Sequence, residues 1–166
     1  MGTIYEDYEV WVVDDENQVL EATKGFLEPL GYRVKTFADP TVAQADLRGC
    51  KTYILFIVDH DFSHTEDPNY TGYDFAKFVK ESYFLKRATP IIYLTGRERK
   101  SNFDIRQKSF PEIVPNVFLS KNEVALDVEL LLDAVSAGFA VLETMETSID
   151  EHGLEIALSI AEDWRF

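Results

Sequence analysis

Sulfur is scarce in this sequence, positive charge is outnumbered, and no apolar run is long. A single cysteine, Cys50, stands among 166 residues. It cannot close an internal disulfide, and this usage fits a reducing compartment. No apolar stretch approaches the roughly 20 residues that span a bilayer. The opening segment, Met1 to Glu9, is acidic and lacks the basic-then-apolar order of a secretory leader. A cytoplasmic chain without a membrane partner is expected. Sixteen Lys and Arg against 30 Asp and Glu leave a net charge of −14, so phosphates are repelled and direct nucleic acid binding is excluded. Internal repeats and low-complexity segments are absent too. What is present is apolar: 46% of residues are hydrophobic and 13% aromatic, enough for a full core and against wholesale disorder. The length suits one domain, or one domain with an appendage.

Charge is unevenly placed. Between Lys77 and Lys108 nine basic residues face three acidic ones, while from Asn122 to Phe166 eleven acids accompany only Arg165. Such segments either face each other or address different partners.

The apolar pattern alternates between two periods. Glu9 to Val13 reads as a strand buried on both faces, as do Tyr53 to Val58 and Pro90 to Leu94, and Tyr32 to Phe37 and Val117 to Leu119 add two more. Helices are expected at Asn17 to Leu30, at Val42 to Leu47 capped by Thr41 and closed by Gly49, and at Tyr73 to Phe84. Arg97 to Phe110 is weakly periodic, Asn122 to about Met145 is densely so, and Ser148 with Glu151 forms a capping box for a last helix. His60 to Gly72 is a surface loop. Strands alternating with helices at short spacing predict an α/β fold with a parallel sheet covered on both faces.

Ligands of such sheets bind beyond the carboxyl ends of the strands. Here those ends carry the reactive side chains: Asp14 and Asp15 after the first strand, Asp59 after the third, Thr95 at the fourth and Lys121 after the fifth. Clustered carboxylates resist ionising together. A divalent hard cation relieves that repulsion, leaving one carboxylate able to attack phosphorus while hydroxyl and ammonium groups stabilise the phosphoryl oxygens.

The runs VWVVDDEN, LEPLGYRV, YILFIVD, IIYLTG and VFLSK, in this order, resemble the receiver domain of two-component response regulators over about Val10 to Ala140. The resemblance implies a doubly wound, flavodoxin-like sheet of five parallel strands in the order 2-1-3-4-5. It implies that Asp14 and Asp15 hold Mg²⁺ (or Mn²⁺) with Asp59 and the backbone carbonyl of Asp61. Asp59 would be the phosphoacceptor, Thr95 the switch hydroxyl, Lys121 the phosphate-contacting lysine and Phe118 the switch aromatic. A sensor histidine kinase or phosphotransfer protein would be the partner, in phosphorelay signal transduction, and the protein would catalyse only its own phosphorylation and dephosphorylation.

The chain departs from the family in three places. Ser63 stands where the family carries a proline, and Gly72 comes thirteen residues after Asp59, making that loop about five residues longer at a small closure cost. Gly96 replaces an alanine, and Asn122 a proline. Two other readings stay open here: a degenerate receiver serving as an interaction module, and a haloacid-dehalogenase-like phosphatase built on Asp59–His60–Asp61. The phosphatase family places its second acid pair after the lysine, whereas Asp14 and Asp15 precede it. His60, Asp61, His64, Glu66 and Asp67 form a weaker candidate metal group. Residues 1–140 are expected to form the receiver. Residues 141–166 would form a helical extension for dimerisation or coupling to an output domain, because its apolar residues must be buried on the receiver or on a partner.

Overall fold

The computed structural model describes residues 8–62, 67 and 69–147. Five strands, β1 (Tyr8–Val13), β2 (Arg33–Phe37), β3 (Tyr53–Val58), β4 (Ile91–Thr95) and β5 (Val117–Ser120), form one sheet in the order β2-β1-β3-β4-β5. Every neighbouring pair is parallel. The expected doubly wound topology is therefore observed. The order reverses between β1 and β3, which opens a crevice at their carboxyl ends.

Strand alternation divides the core into two layers. Val10, Val12, Leu55, Ile57, Ile92 and Leu94 face the cluster that includes Leu20 and Leu27 of α1 (Asn17–Leu27) and Leu131, Val135 and Phe139 of α6 (Glu129–Thr147). Trp11, Val13, Ile54, Phe56, Val58 and Tyr93 face the opposite layer. That layer is built by α2 (Pro40–Leu47), α3 (Gly72–Ser82) and α4 (Lys100–Ser109). Both faces of β1 and β3 are thus covered, which explains their continuous apolar runs.

Helix ends differ from the expected ones where side chains capture backbone groups. Asp39, not Thr41, caps α2: its carboxylate accepts the Thr41 N–H at 2.8 Å, and Pro40 takes the first helical position, where its missing N–H costs nothing. The first helix ends at Leu27 and tightens into a 3₁₀ turn, Glu28–Leu30, closed by Gly31 at φ 96°, a value favouring glycine. The single helical pattern expected from Asn122 to about Met145 is two helices. A short α5 (Lys121–Leu126) stops at Asp127, which is extended at φ −147° and ψ 93°. Its carboxylate then accepts the Glu129 N–H at 3.2 Å and starts α6.

Helix α6 continues through residue 140, and Val141, Leu142 and Met145 are buried in the first core. Glu146 accepts a hydrogen bond from the Tyr8 hydroxyl, and Phe139 stacks with Tyr32 at 4.7 Å between centroids. These apolar residues fold back on the sheet. The helix expected from Ser148 onward, including Glu151, lies outside the described residues. No helix among the described residues is long and apolar enough to cross a membrane.

Candidate functional site: an acidic crevice closed by one lysine

Asp14 and Asp59 each follow a strand and keep its ladder going. The Asp14 N–H donates to the Phe37 carbonyl at 3.0 Å, and the Asp59 N–H to the Val13 carbonyl at 2.9 Å. Both carboxylates therefore stand side by side on fixed backbone at the reversal point. They are almost fully enclosed, at 3% and 2% side-chain exposure. Asp14 Oδ1 accepts the Glu16 N–H at 2.8 Å, and Asp59 Oδ1 accepts the His60 N–H at 2.7 Å.

The remaining oxygens converge on one cation. Lys121 begins α5 directly beyond β5, and its Nζ lies 2.8 Å from Asp14 Oδ2, 3.1 Å from Asp59 Oδ2 and 3.5 Å from Glu16 Oε1. Burial alone would lower the lysine's pKa, but its bonds to Asp14 and Asp59 hold it above the usual value. Thr95 is buried and pairs in register with Ser120, which places it one residue from Lys121. Its Oγ1 accepts the Arg97 N–H at 3.0 Å. At Gly96 a Cβ would meet the Lys121 side chain at 3.9 Å, an ordinary contact, so glycine leaves space there that an alanine would fill without strain.

Asp14, Asp15, Glu16 and Asp59 each offer a carboxylate oxygen, all within 4.8 Å of one another. Four acids against one lysine leave an anionic excess of hard oxygen donors, a set that suits a divalent cation such as Mg²⁺. Glu16 is an addition to the expected ligands, and the unbroken Asp14–Asp15–Glu16 run is its signal in the sequence. Asp61 does not add its side chain to the group: that side chain is exposed, and its backbone forms an antiparallel bridge with Thr71. Phe118 is half-buried against Phe103, 5.3 Å between centroids, on the side of the sheet facing α4. Of the weaker metal group, His60 turns instead to the Tyr93 hydroxyl at 2.6 Å, while His64 and Glu66 lie outside the described residues.

The longer loop after Asp59 is pinched at its neck. The Asp61–Thr71 bridge closes it, and the Gly72 N–H donates to the His60 carbonyl at 2.9 Å. The extra residues therefore leave the start of α3 against the site. Ser63 lies outside the described residues.

Burial and the neighbouring Asp59 charge push Asp14 up from 3.8 to about 6, with Lys121 opposing them. A metal must displace that proton. Mg²⁺ affinity should accordingly be flat above about pH 7 and fall by up to about tenfold per pH unit below about 6. Calorimetric titration across pH 5 to 8 checks this; affinity unchanged at pH 5 would contradict it.

No family model matches the chain, and no curated protein does. Solved structures do. The Vibrio cholerae chemotaxis protein CheY4 superposes with a TM-score of 0.58 at 24% identity, over 78% of this chain and 96% of that one. A response regulator receiver domain protein from Clostridium thermocellum gives 0.57 at 20% identity, over 92% and 94%. A probable two-component response regulator/GGDEF domain protein gives 0.65 at 23% identity, over 84% of this chain and 52% of that one. The chain has the receiver-domain fold. In this receiver-like molecule the acid pair follows the first strand, and its carboxylates converge with Asp59 at the sheet edge.

Proposed function

We propose that the protein is the phosphoacceptor domain of a two-component system, with Asp59 receiving the phosphoryl group of a histidine kinase or phosphotransfer protein. The observation that carries this reading is the buried meeting of Asp14, Asp59 and Lys121 beyond the strand ends, with Thr95 beside them. An oxygen of Asp59 attacks phosphorus; the new O–P bond forms as the P–N bond to the partner's phosphohistidine breaks, and that bond's electron pair stays on the imidazole. Mg²⁺ or Mn²⁺, held by Asp14, Asp15, Asp59 and the carbonyl of Asp61, would supply the charge that lets the acids ionise together and receive the phosphoryl oxygens. Lys121 transfers its bonds from the carboxylates to the phosphoryl group. The Thr95 oxygen accepts from Arg97, so its own proton is left to donate to that group.

In this reading Thr95 and Phe118 move together, and the face formed by α4, β5 and α5 shifts between two pre-existing shapes. The basic Arg97 to Lys108 segment lies on that face and is the candidate partner surface. The phosphoacceptor unit takes in residues 1–140 together with the part of α6 that packs on its core, and the remainder of 141–166 serves dimerisation or coupling to an output domain. The chain regulates; it does not turn over a substrate, and it works in the cytoplasm.

Retention of the phosphoryl group tests the reading. Acetyl phosphate with Mg²⁺ should leave one phosphoryl group on each chain by intact mass, and chelation of the metal should prevent it. Continuous phosphate release without an adduct would favour a phosphatase, and neither product would favour a degenerate module.

A further inference from the structure

A cluster beside the phosphoacceptor has no part in the transfer described above. The residue after Asp59 is His60, and three elements converge on it. Its N–H donates to Asp59 Oδ1 at 2.7 Å, at the end of β3. Its carbonyl accepts the first amide of α3, from Gly72, at 2.9 Å. Its ring Nδ1 lies 2.6 Å from the buried Tyr93 hydroxyl of β4 and 3.9 Å from Glu98 Oε2, in the turn between β4 and α4.

Glu98 is divided between two tasks. Oε2 faces His60, while Oε1 accepts the Arg99 N–H at 2.8 Å and the Asn102 amide at 3.1 Å, at the start of α4. Burial alone would raise its pKa, but the Arg99 and Asn102 bonds, Tyr73 and His60 hold it below the usual value, so it stays anionic. A run of polar contacts thus leads from the Asp59 carboxylate through two side chains, His60 and Glu98, which face each other at 3.9 Å, to the first turn of α4. Packing reinforces it: Tyr93 stacks on Tyr73 at 4.9 Å and on Phe103 of α4 at 6.0 Å.

We propose that His60 is a positioning residue that couples the state of Asp59 to the start of α4. The proposal rests on the reading of Asp59 as phosphoacceptor and adds a route separate from Thr95 and Phe118. Phosphorylation changes the charge and the acceptor oxygens next to the His60 amide. The ring is anchored on Tyr93, so displacement of the His60 backbone is carried to Glu98, whose other oxygen holds α4. Coupling is read directly at α4.

The full chain is treated with acetyl phosphate and Mg²⁺, with intact mass and hydrogen exchange at the Lys100–Phe103 amides read from the same samples. Wild type, His60→Ala, Tyr93→Phe and Glu98→Gln are compared. Glu98→Gln keeps an acceptor for Arg99 while removing the charge facing His60, so α4 keeps its start. In wild type, one phosphoryl group should arrive with a change in protection at α4. The variants should still take the phosphoryl group, but the change in protection should shrink by at least about fivefold. Should His60→Ala fail to fold, Glu98→Gln decides. A full α4 response in phosphorylated variants, or none in phosphorylated wild type, overturns the coupling and leaves the phosphoacceptor reading intact. No mass gain in wild type overturns that reading, and the coupling with it.

Discussion

Lys121→Ala should destabilise the metal-free domain by about 3 kcal/mol at pH 7, the usual cost of stripping one partner from a buried ion group. The lysine is the cation that Asp14 and Asp59 share, at 2.8 and 3.1 Å, and both acids are enclosed. Without it two buried carboxylates repel each other with no charge between them. Millimolar Mg²⁺ should restore most of the loss, because a ligand that binds only the folded state stabilises it by mass action. The pH dependence has a definite sign. Asp14 binds its proton more tightly folded, at about 6, than at its ordinary 3.8, so between these values the folded state holds more protons and stability falls as pH rises. The variant should therefore be relatively more stable at pH 5 than at pH 7. Urea unfolding with and without Mg²⁺ checks this; a variant indifferent to the metal would contradict the shared-cation account.

Gly72→Ala should be at least as damaging, for a steric reason. A Cβ there would fall 2.0 Å from the Asp59 carbonyl oxygen and 2.5 Å from Cε1 of the Tyr93 ring. Neither neighbour can yield: one is the backbone of Asp59 at the end of β3, and the other is fully buried. Overpacking of this kind costs about 1–3 kcal/mol and more where backbone must move. The loss should show as a lower urea midpoint together with slower phosphorylation. Gly25→Ala is the control, since a Cβ on that helical glycine meets nothing within 4 Å. It should be neutral or stabilising by roughly 0.5–1 kcal/mol. Equal effects at both positions would contradict the close approach at Gly72.

The strands and their termini are legible in the sequence because each signal is local. An apolar run ending in Asp, Thr or Lys defines both an element and what it presents, so the amino-acid order alone points to Asp14, Asp59, Thr95 and Lys121. Expectation and structure part where the outcome depends on competition between neighbours. Asp39 outcompetes Thr41 for the helix start because its carboxylate reaches the Thr41 amide. Asp127 interrupts a pattern whose hydrophobic period is unbroken, because its carboxylate captures an amide of the next helix. The His60, Tyr93 and Glu98 cluster is illegible for another reason. Tyr93 lies 33 residues beyond His60, with Glu98 in the turn that follows its strand, and no spacing rule relates either of them to His60. Gly72 lies between these cases: its place at the end of the loop is visible in the sequence, while the need for glycine appears only against Tyr93.

The most direct measurement of the central claim is the intact mass of the full chain after acetyl phosphate and Mg²⁺, beside Asp59→Ala and the exposed-residue control Asp46→Ala. The account predicts one added phosphoryl group on wild type and on Asp46→Ala, and none on Asp59→Ala. An adduct that survives on Asp59→Ala, or that forms on wild type without metal, would contradict it.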